Sequence, residues 1–279
     1  MATVLEKIVE VKKQEVELRK KEVPVEELQT RILTINRPRN FYSAVAKYPI
    51  RKVNLIAEIK KASPSAGVIR PDFDPVQIAQ IYTDAGADAL SVLTDETFFQ
   101  GKLDYIQDVK RVSPLPVLRK DFIIDEYQIY EARAYGADAI LLIAEILSSS
   151  QILDMLILAS TLKMTSLIEV HNADSLMQVR KTVGFPHERY SLLGINNRDL
   201  HSQTVDIGNT LRLMNLLDDE SREAVVSESG IKTADDIEKL AAAGVSAVLI
   251  GETFMRADNI AQKIEELLGP MPAASQEQS

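Results

Sequence analysis

Glu58 and Lys60 stand two residues apart in AEIKKASPSAG, at the end of an apolar run. Side chains alternate across a strand, so Ile56, Glu58 and Lys60 share one face. At the strand's end such a pair offers an acid and a base to one space. The pattern recurs: Lys120 follows Leu118 at the same spacing in PVLRKDF, and Glu169 follows Leu167 in SLIEV. Asn196 and Arg198 close GINNR, and Ser229 lies in SESGI. One charged strand end alone reads as solvated, since charged side chains are rarely buried. Glu58, Lys60, Lys120, Glu169 and Asn196 together read as a mouth where carboxylates and lysines tune one another for acid–base catalysis.

The elements that must hold them follow a regular beat. Eight short aliphatic runs occur at 53–59, 87–93, 116–120, 137–143, 166–170, 191–196, 224–229 and 247–251. They recur roughly every 27 residues, with amphipathic helical stretches between them. Asp74-Pro75, Ser148 and Thr233 supply helix starts, and the echoes DAGADAL, AYGADAI and AAGVSAV mark helix ends running into strands. Strands apolar on both faces and separated by helices predict a parallel sheet, and eight units predict an α/β fold of the (β/α)8 TIM-barrel type. An open doubly wound sheet would announce itself with G-x-G-x-x-G, which is absent. The boundaries expected are an N-terminal helical extension over 1–50 packed on the barrel, the barrel over 51–268, and a disordered tail over 269–279.

Barrels place chemistry beyond the C-terminal ends of their strands, with phosphate often bound after strands 7 and 8. Gly230 and Gly251 occupy those two turns, where backbone N–H groups can approach an oxyanion. Glu252 follows directly, and Ser63 adds a hydroxyl after strand 1. Phe99 and Phe122, after strands 2 and 3, are placed to sandwich an aromatic group. His171 follows strand 5 but has no triad partner in the sequence pattern and is assigned no role. The run KKQEVELRKKE alternates in charge sign and is expected to form a solvated helix face.

Composition narrows the classes. With 46% apolar and 26% charged residues in 279, the chain can bury a large core. The absence of cysteine excludes disulfides, thiolate metal sites and a cysteine nucleophile. Histidines at 171, 187 and 201 form no H-x-x-x-H pair, so no metal is expected. Forty-one acids against 32 bases, a net charge of −9, disfavour a general nucleic-acid or anionic-membrane surface. No apolar run reaches the ~20 residues of a membrane span, and the first residues do not read as a secretory signal, so a cytoplasmic protein is expected.

At these residues the sequence resembles the indole-3-glycerol-phosphate synthase family of tryptophan biosynthesis. AEIKKASPSAG, LRKDFIID, LIEVHN, GINNRDL, SESGI and LIGE occur in family order and spacing, within a resemblance running from about residue 5 to 268. The resemblance implies ring closure, decarboxylation and dehydration of 1-(2-carboxyphenylamino)-1-deoxyribulose 5-phosphate, with no cofactor. It implies Lys120 as general acid for ring closure and Glu169 as acid/base in the dehydration. Lys60 is implied to contact the substrate carboxylate and to be available to protonate the leaving hydroxyl. Glu58 and Asn196 position these groups, and Ser229 lies near the ring-closing centre. Ser63 and Arg198 line the anthranilate end, and Gly230 and Gly251 bind phosphate through their backbone. Glu252 departs from the serine of some members, so only its backbone N–H is expected to matter. A phosphorylated small molecule is the expected partner, and other tryptophan-pathway enzymes are candidates. Two rivals remain: another phosphate-binding barrel enzyme, such as the neighbouring isomerase, and a non-catalytic barrel scaffold. The first usually needs a cysteine, which is missing, and the second should have lost one of Lys60, Lys120 and Glu169.

Overall fold

The computed structural model describes residues 3–183, 191–199 and 204–272. Eight strands close into a parallel barrel: β1 (Asn54–Ile59), β2 (Ala89–Leu93), β3 (Val117–Lys120), β4 (Ala139–Ile143), β5 (Thr165–Val170), β6 (Ser191–Asn196), β7 (Val225–Glu228) and β8 (Ala247–Ile250). Each strand pairs with its neighbours in sequence, and β1 with β8 closes the ring. The predicted runs match these strands to within two residues at each end. The two late starts have a local cause. The carboxylates of Asp88 and Asp138, in the repeated Gly-Ala-Asp-Ala, accept the N–H groups of Leu55 and Val117 at 2.8 Å. Lys47 and Lys110 neutralise them at 2.7 and 2.5 Å. These pairs lie at strand starts, the end of a barrel that serves stability.

Three helices precede the barrel: α1 (Val4–Glu22), α2 (Val25–Thr34) and α3 (Phe41–Ala46). The outer layer then comprises α4 (Pro75–Asp84), α5 (Tyr105–Val112), α6 (Glu126–Ala134), α7 (Ser149–Thr161), α8 (Ala173–Val183), α9 (Gly208–Met214), α10 (Asp219–Arg222), α11 (Ala234–Ala242), α12 (Glu252–Met255) and α13 (Ile260–Leu268). The predicted caps form: Asp74 accepts from the N–H groups of Val76 and Gln77, and Ser148 and Thr233 close capping boxes. A short 3-10 turn, Ala144–Ile146, follows β4.

α3 lies under the barrel, with Phe41 and Val45 fully buried and Asn54 donating to the carbonyls of Val45 and Lys47. α1 reaches the opposite end, where Val4, Leu5 and Ile8 face the mouth. α2 packs along α6, and Val16, Leu28, Tyr127 and Ala134 form a small second core there.

The solvated face expected over KKQEVELRKKE is corrected by this docking. Lys12 is 3% exposed, and its Nζ lies 2.9 Å from Asp95 and 3.0 Å from Asp121. Arg19 pairs with Glu131 at 3.0 Å and with Glu96 at 3.1 Å. Alternating signs looked like solvation because their partners sit about 80 to 110 residues away in sequence. Of the predicted tail, residues 269–272 are described, and residues 273–279 lie outside the described residues.

Candidate active site

The mouth of the barrel is a cavity of about 700 Å³. Every site residue singled out in the sequence lines it: Glu58, Lys60, Ser63, Phe99, Lys120, Phe122, Glu169, Asn196, Arg198, Ser229, Gly230, Gly251 and Glu252. Strand alternation explains the convergence. In barrels, inward side chains stack in layers of four drawn from alternate strands. Glu58 on β1, Lys120 on β3, Glu169 on β5 and Glu228 on β7 make such a set at the strands' C-terminal ends.

This set is ionic rather than apolar. Lys120 Nζ lies 2.8 Å from Glu169 Oε2 and 3.3 Å from Glu228 Oε2. Across the mouth, Lys60 Nζ lies 2.5 Å from Glu58 Oε1. Glu58, Glu169 and Glu228 are all buried. Burial opposes charge on Lys120, but Glu169, Glu228 and Glu58 outweigh it and hold its ammonium above the ordinary lysine range. Burial likewise opposes charge on Glu169, yet Lys120 and His171 hold its carboxyl well below the ordinary range. Glu228 goes the other way. Burial, with Glu169 and Glu58 adding to it against Lys120, pushes it up to about 8. Neither Glu228 oxygen has an aligned hydrogen-bond partner among the described residues, so the 3.3 Å approach to Lys120 compensates it only in part. The two carboxyls that flank Lys120 are therefore driven apart, Glu169 toward the carboxylate and Glu228 toward the acid. The layer can accept a proton at Glu169 and donate one at Lys120 or Glu228.

Space for these charges comes from glycine. A methyl group on Gly194 of β6 would collide with Glu228 Oε1, and one on Gly251 would collide with Glu58 Oε1. Gly230 adopts φ +81°, and a Cβ there would collide with Val205. Ser229, at φ 68°, is held in its turn by Asn197, whose Nδ2 donates to the Ser229 carbonyl at 3.1 Å. The Asn197 Oδ1 in turn accepts from both the N–H and the hydroxyl of Thr210.

The rim is basic. Arg198, Lys232, Arg256 and Lys263 join Lys60 in lining it. Glu252 pairs with Arg256 at 2.9 Å and with Arg198 at 3.5 Å. Burial pushes the Glu252 carboxyl up, but Arg256, with Lys60 and Arg198, more than offsets this and holds it below the ordinary range.

Two expectations need correction. Phe99 and Phe122 lie with ring centroids 6.0 Å apart at 38°. A ring between them would need about 7 Å, twice a carbon–carbon contact of about 3.5 Å. The two rings therefore form one wall, not a sandwich. His171, expected to be inert, places Nε2 3.2 Å from Glu169 Oε1 and Nδ1 3.0 Å from Glu145 Oε2. Its partner on the 3-10 turn after β4 is 26 residues upstream, invisible to a search for local pairs. Glu228 was within reach of sequence reasoning, because it alternates with Val226 as Glu169 does with Leu167. Asn197 and Lys12 carried no comparable signal. Among the described residues, no group of three or more His, Asp or Glu side chains is arranged to hold a metal ion.

The family model and the named relatives agree on one family. The family model for indole-3-glycerol phosphate synthase matches residues 5–267. A protein of that name from Roseiflexus castenholzii is 47% identical over 276 residues, covering 96% of this chain and 99% of its own. One from Polaromonas naphthalenivorans is 45% identical over 274 residues, covering 96% and 100%. Among solved structures, 3-hexulose-6-phosphate synthase from Salmonella typhimurium aligns with a TM-score of 0.59 at 14% identity, over 77% of this chain and 96% of that one. That likeness supports the barrel alone.

Proposed function

The chain belongs to the indole-3-glycerol phosphate synthase family, and we propose that the barrel mouth performs that reaction through the two opposed ion pairs Lys120–Glu169 and Lys60–Glu58. The enzyme is a carboxy-lyase of tryptophan biosynthesis. Its substrate, 1-(2-carboxyphenylamino)-1-deoxyribulose 5-phosphate, has a phosphate at one end and an aromatic carboxylate at the other. The pairing of charges across one cavity is the observation that carries the assignment of roles.

In ring closure, the aromatic carbon bearing the carboxylate attacks the ketone carbon. Lys120 Nζ gives a proton to the ketone oxygen as it becomes a hydroxyl. Its raised pKa means that the proton is present at rest, and Glu169 beside it steadies the ammonium. Loss of CO2 from that same aromatic carbon leaves its electron pair in the ring. In dehydration the new hydroxyl leaves as water. Lys60 supplies the proton, and Glu169, held as a carboxylate, takes one from the neighbouring carbon. Glu58 aims Lys60, and Asn196 positions substrate oxygens. Ser63 and Arg198 face the anthranilate end, where the wall of Phe99 and Phe122 offers apolar surface. Gly230 and Gly251 offer backbone to the phosphate, with Lys60 and the rim cations compensating Glu252. Ser229 stands beside the closing ring.

Helix α1 serves as a cover for this mouth, placing Val4, Leu5 and Ile8 on it. No described helix is long and apolar enough to cross a membrane; a cytoplasmic location belongs to the same reading. The test is incubation with that substrate while following indole fluorescence, without added metal or nucleotide. Turnover is expected. Inactivation by EDTA with recovery on adding a divalent ion would overturn the metal-free reaction.

A further inference from the structure

His171 lies just behind the mouth with its side chain only 5% exposed, and neither ring closure nor dehydration assigns it a task. It lies one residue beyond β5, two after Glu169, and so on the same side of the strand. Its place is overdetermined. Glu145 takes hold of it twice: Oε1 accepts the His171 backbone N–H at 2.8 Å, and Oε2 lies 3.0 Å from Nδ1. From α9, Asn209 Nδ2 donates at 3.0 Å to the His171 carbonyl and at 3.0 Å to that of Asn196. The turn after β4 and helix α9 thus fix this residue from two sides, and its Nε2 lies 3.2 Å from Glu169 Oε1.

The chemistry of that arrangement is restrictive. An ionised carboxylate only accepts hydrogen bonds, and a neutral imidazole donates from one nitrogen only. With a carboxylate at each nitrogen, a neutral ring would turn a lone pair toward negative charge. The arrangement selects the imidazolium. Burial opposes its charge, but Glu145 and Glu169 prevail and push His171 up to about 10. Glu169 then faces a cation at each oxygen: Lys120 donates a hydrogen bond to Oε2 at 2.8 Å, and His171 Nε2 lies in charge contact with Oε1 at 3.2 Å without an aligned hydrogen bond. Glu228, the other carboxyl beside Lys120, has no second cation within ion-pair distance among the described residues. The two carboxyls are driven apart in basicity by their unequal share of positive charge.

We propose that His171 is a positioning residue for Glu169: held as an imidazolium by Glu145, it fixes the orientation and charge of that carboxylate, so that Glu169 enters the reaction as the base. The proposal deepens the function assigned above and rests on the reading of Glu169 as a reacting group. The charged groups facing this pair are Glu145 from the turn after β4, Lys120 from β3, Glu228 from β7 and Glu58 from β1. Asn209 from α9 is uncharged.

The test has three arms. Imidazole nitrogen NMR on the unmodified protein, with His171 assigned by its loss in His171→Gln, should show both ring nitrogens protonated through pH 8. A midpoint near the ordinary value of 6.5 would overturn the imidazolium. In steady-state kinetics, His171→Gln should lower kcat about tenfold, a part of the 10²- to 10⁴-fold a positioned acid or base supplies. KM should stay within about twofold, because substrate contacts remain. The acid limb of kcat should move up by about one pH unit or more, since an adjacent opposite charge lowers a carboxyl's pKa by about 1–3. Glu145→Gln, which leaves the ring in place but loosens its proton, should move the same limb in the same direction by less. It serves if His171→Gln does not fold. An unmoved acid limb in both variants would overturn the proposal. Glu169→Gln separates the two levels. If it keeps wild-type kcat, the reading of Glu169 has failed and the proposal with it. If it is inactive while His171→Gln and Glu145→Gln keep the wild-type profile, only the role of His171 has failed.

Discussion

Gly194 leaves the space that the Glu228 carboxyl group occupies: a methyl group on this β6 residue would collide with Glu228 Oε1. No left-handed backbone angle is involved at Gly194, so the glycine answers to packing alone. Glycines in a barrel wall are ordinarily read as helix–strand spacers or ligand approaches. Here one is the complement of an inward carboxyl. Gly251 stands in the same relation to Glu58.

Gly194→Ala should therefore give a folded protein with Glu228 displaced. Its kcat should fall about tenfold or more, toward that of Glu228→Gln, because the carboxyl leaves Lys120. Near-additive losses in the double variant would show that the two positions act independently, against this relationship.

Lys120→Met keeps most of the stem and removes the proton and the charge. The expected loss is about 10²- to 10⁴-fold in kcat, as for a positioned general acid. KM should change far less, because phosphate and aromatic contacts remain. Retention of kcat within a few-fold, with Lys60→Met inactive, would give the ring-closing role to Lys60.

Gly230→Val should raise KM strongly in a folded variant. Its φ of +81° disfavours a β-branched residue, and the new side chain meets Val205. An unchanged KM would move the phosphate elsewhere in the mouth.

Lys12→Ala strands Asp95 and Asp121, two buried carboxylates that share its ammonium. Breaking a buried pair from one side costs about 3–5 kcal/mol, measurable by urea unfolding. Asp121 adjoins Lys120 and also pairs with Arg119 at 3.0 Å, so kcat should fall as well. Deleting residues 1–40 should leave a folded barrel with impaired catalysis, for the same reason. Full activity in that deletion would make the cover dispensable.

Stability should fall with rising pH where His171 titrates. Its pKa rises on folding from the ordinary 6.5 to about 10, so the native state keeps the proton longer. That contribution is complete below about pH 6.5 and is lost as pH passes through about 10. Across this window the wild type should lose stability relative to His171→Gln in urea titrations. Parallel curves would show that His171 does not titrate there.

What was local in this chain was legible in its residues. Period-two alternation put Glu58, Lys120 and Glu169 on inward faces, and caps such as Asp74, Ser148 and Thr233 act within four residues of themselves. Eight repeats of strand and helix leave closure as the way to satisfy both edges of a parallel sheet. What required the tertiary structure was which charge meets which. Lys120 and Glu169 lie 49 residues apart, Lys120 and Glu228 farther still, and Lys12 finds Asp121 from outside the barrel. Those distances depend on strand stagger and helix docking, which no local spacing encodes. The same geometry made an inert-looking histidine a partner of Glu169 and turned two presumed jaws, Phe99 and Phe122, into one wall. Sequence alternation sets the face on which a side chain lies. Its charge state follows from burial and from the cations that the closed barrel brings within about 3 Å, and those are decided only when the ring is complete.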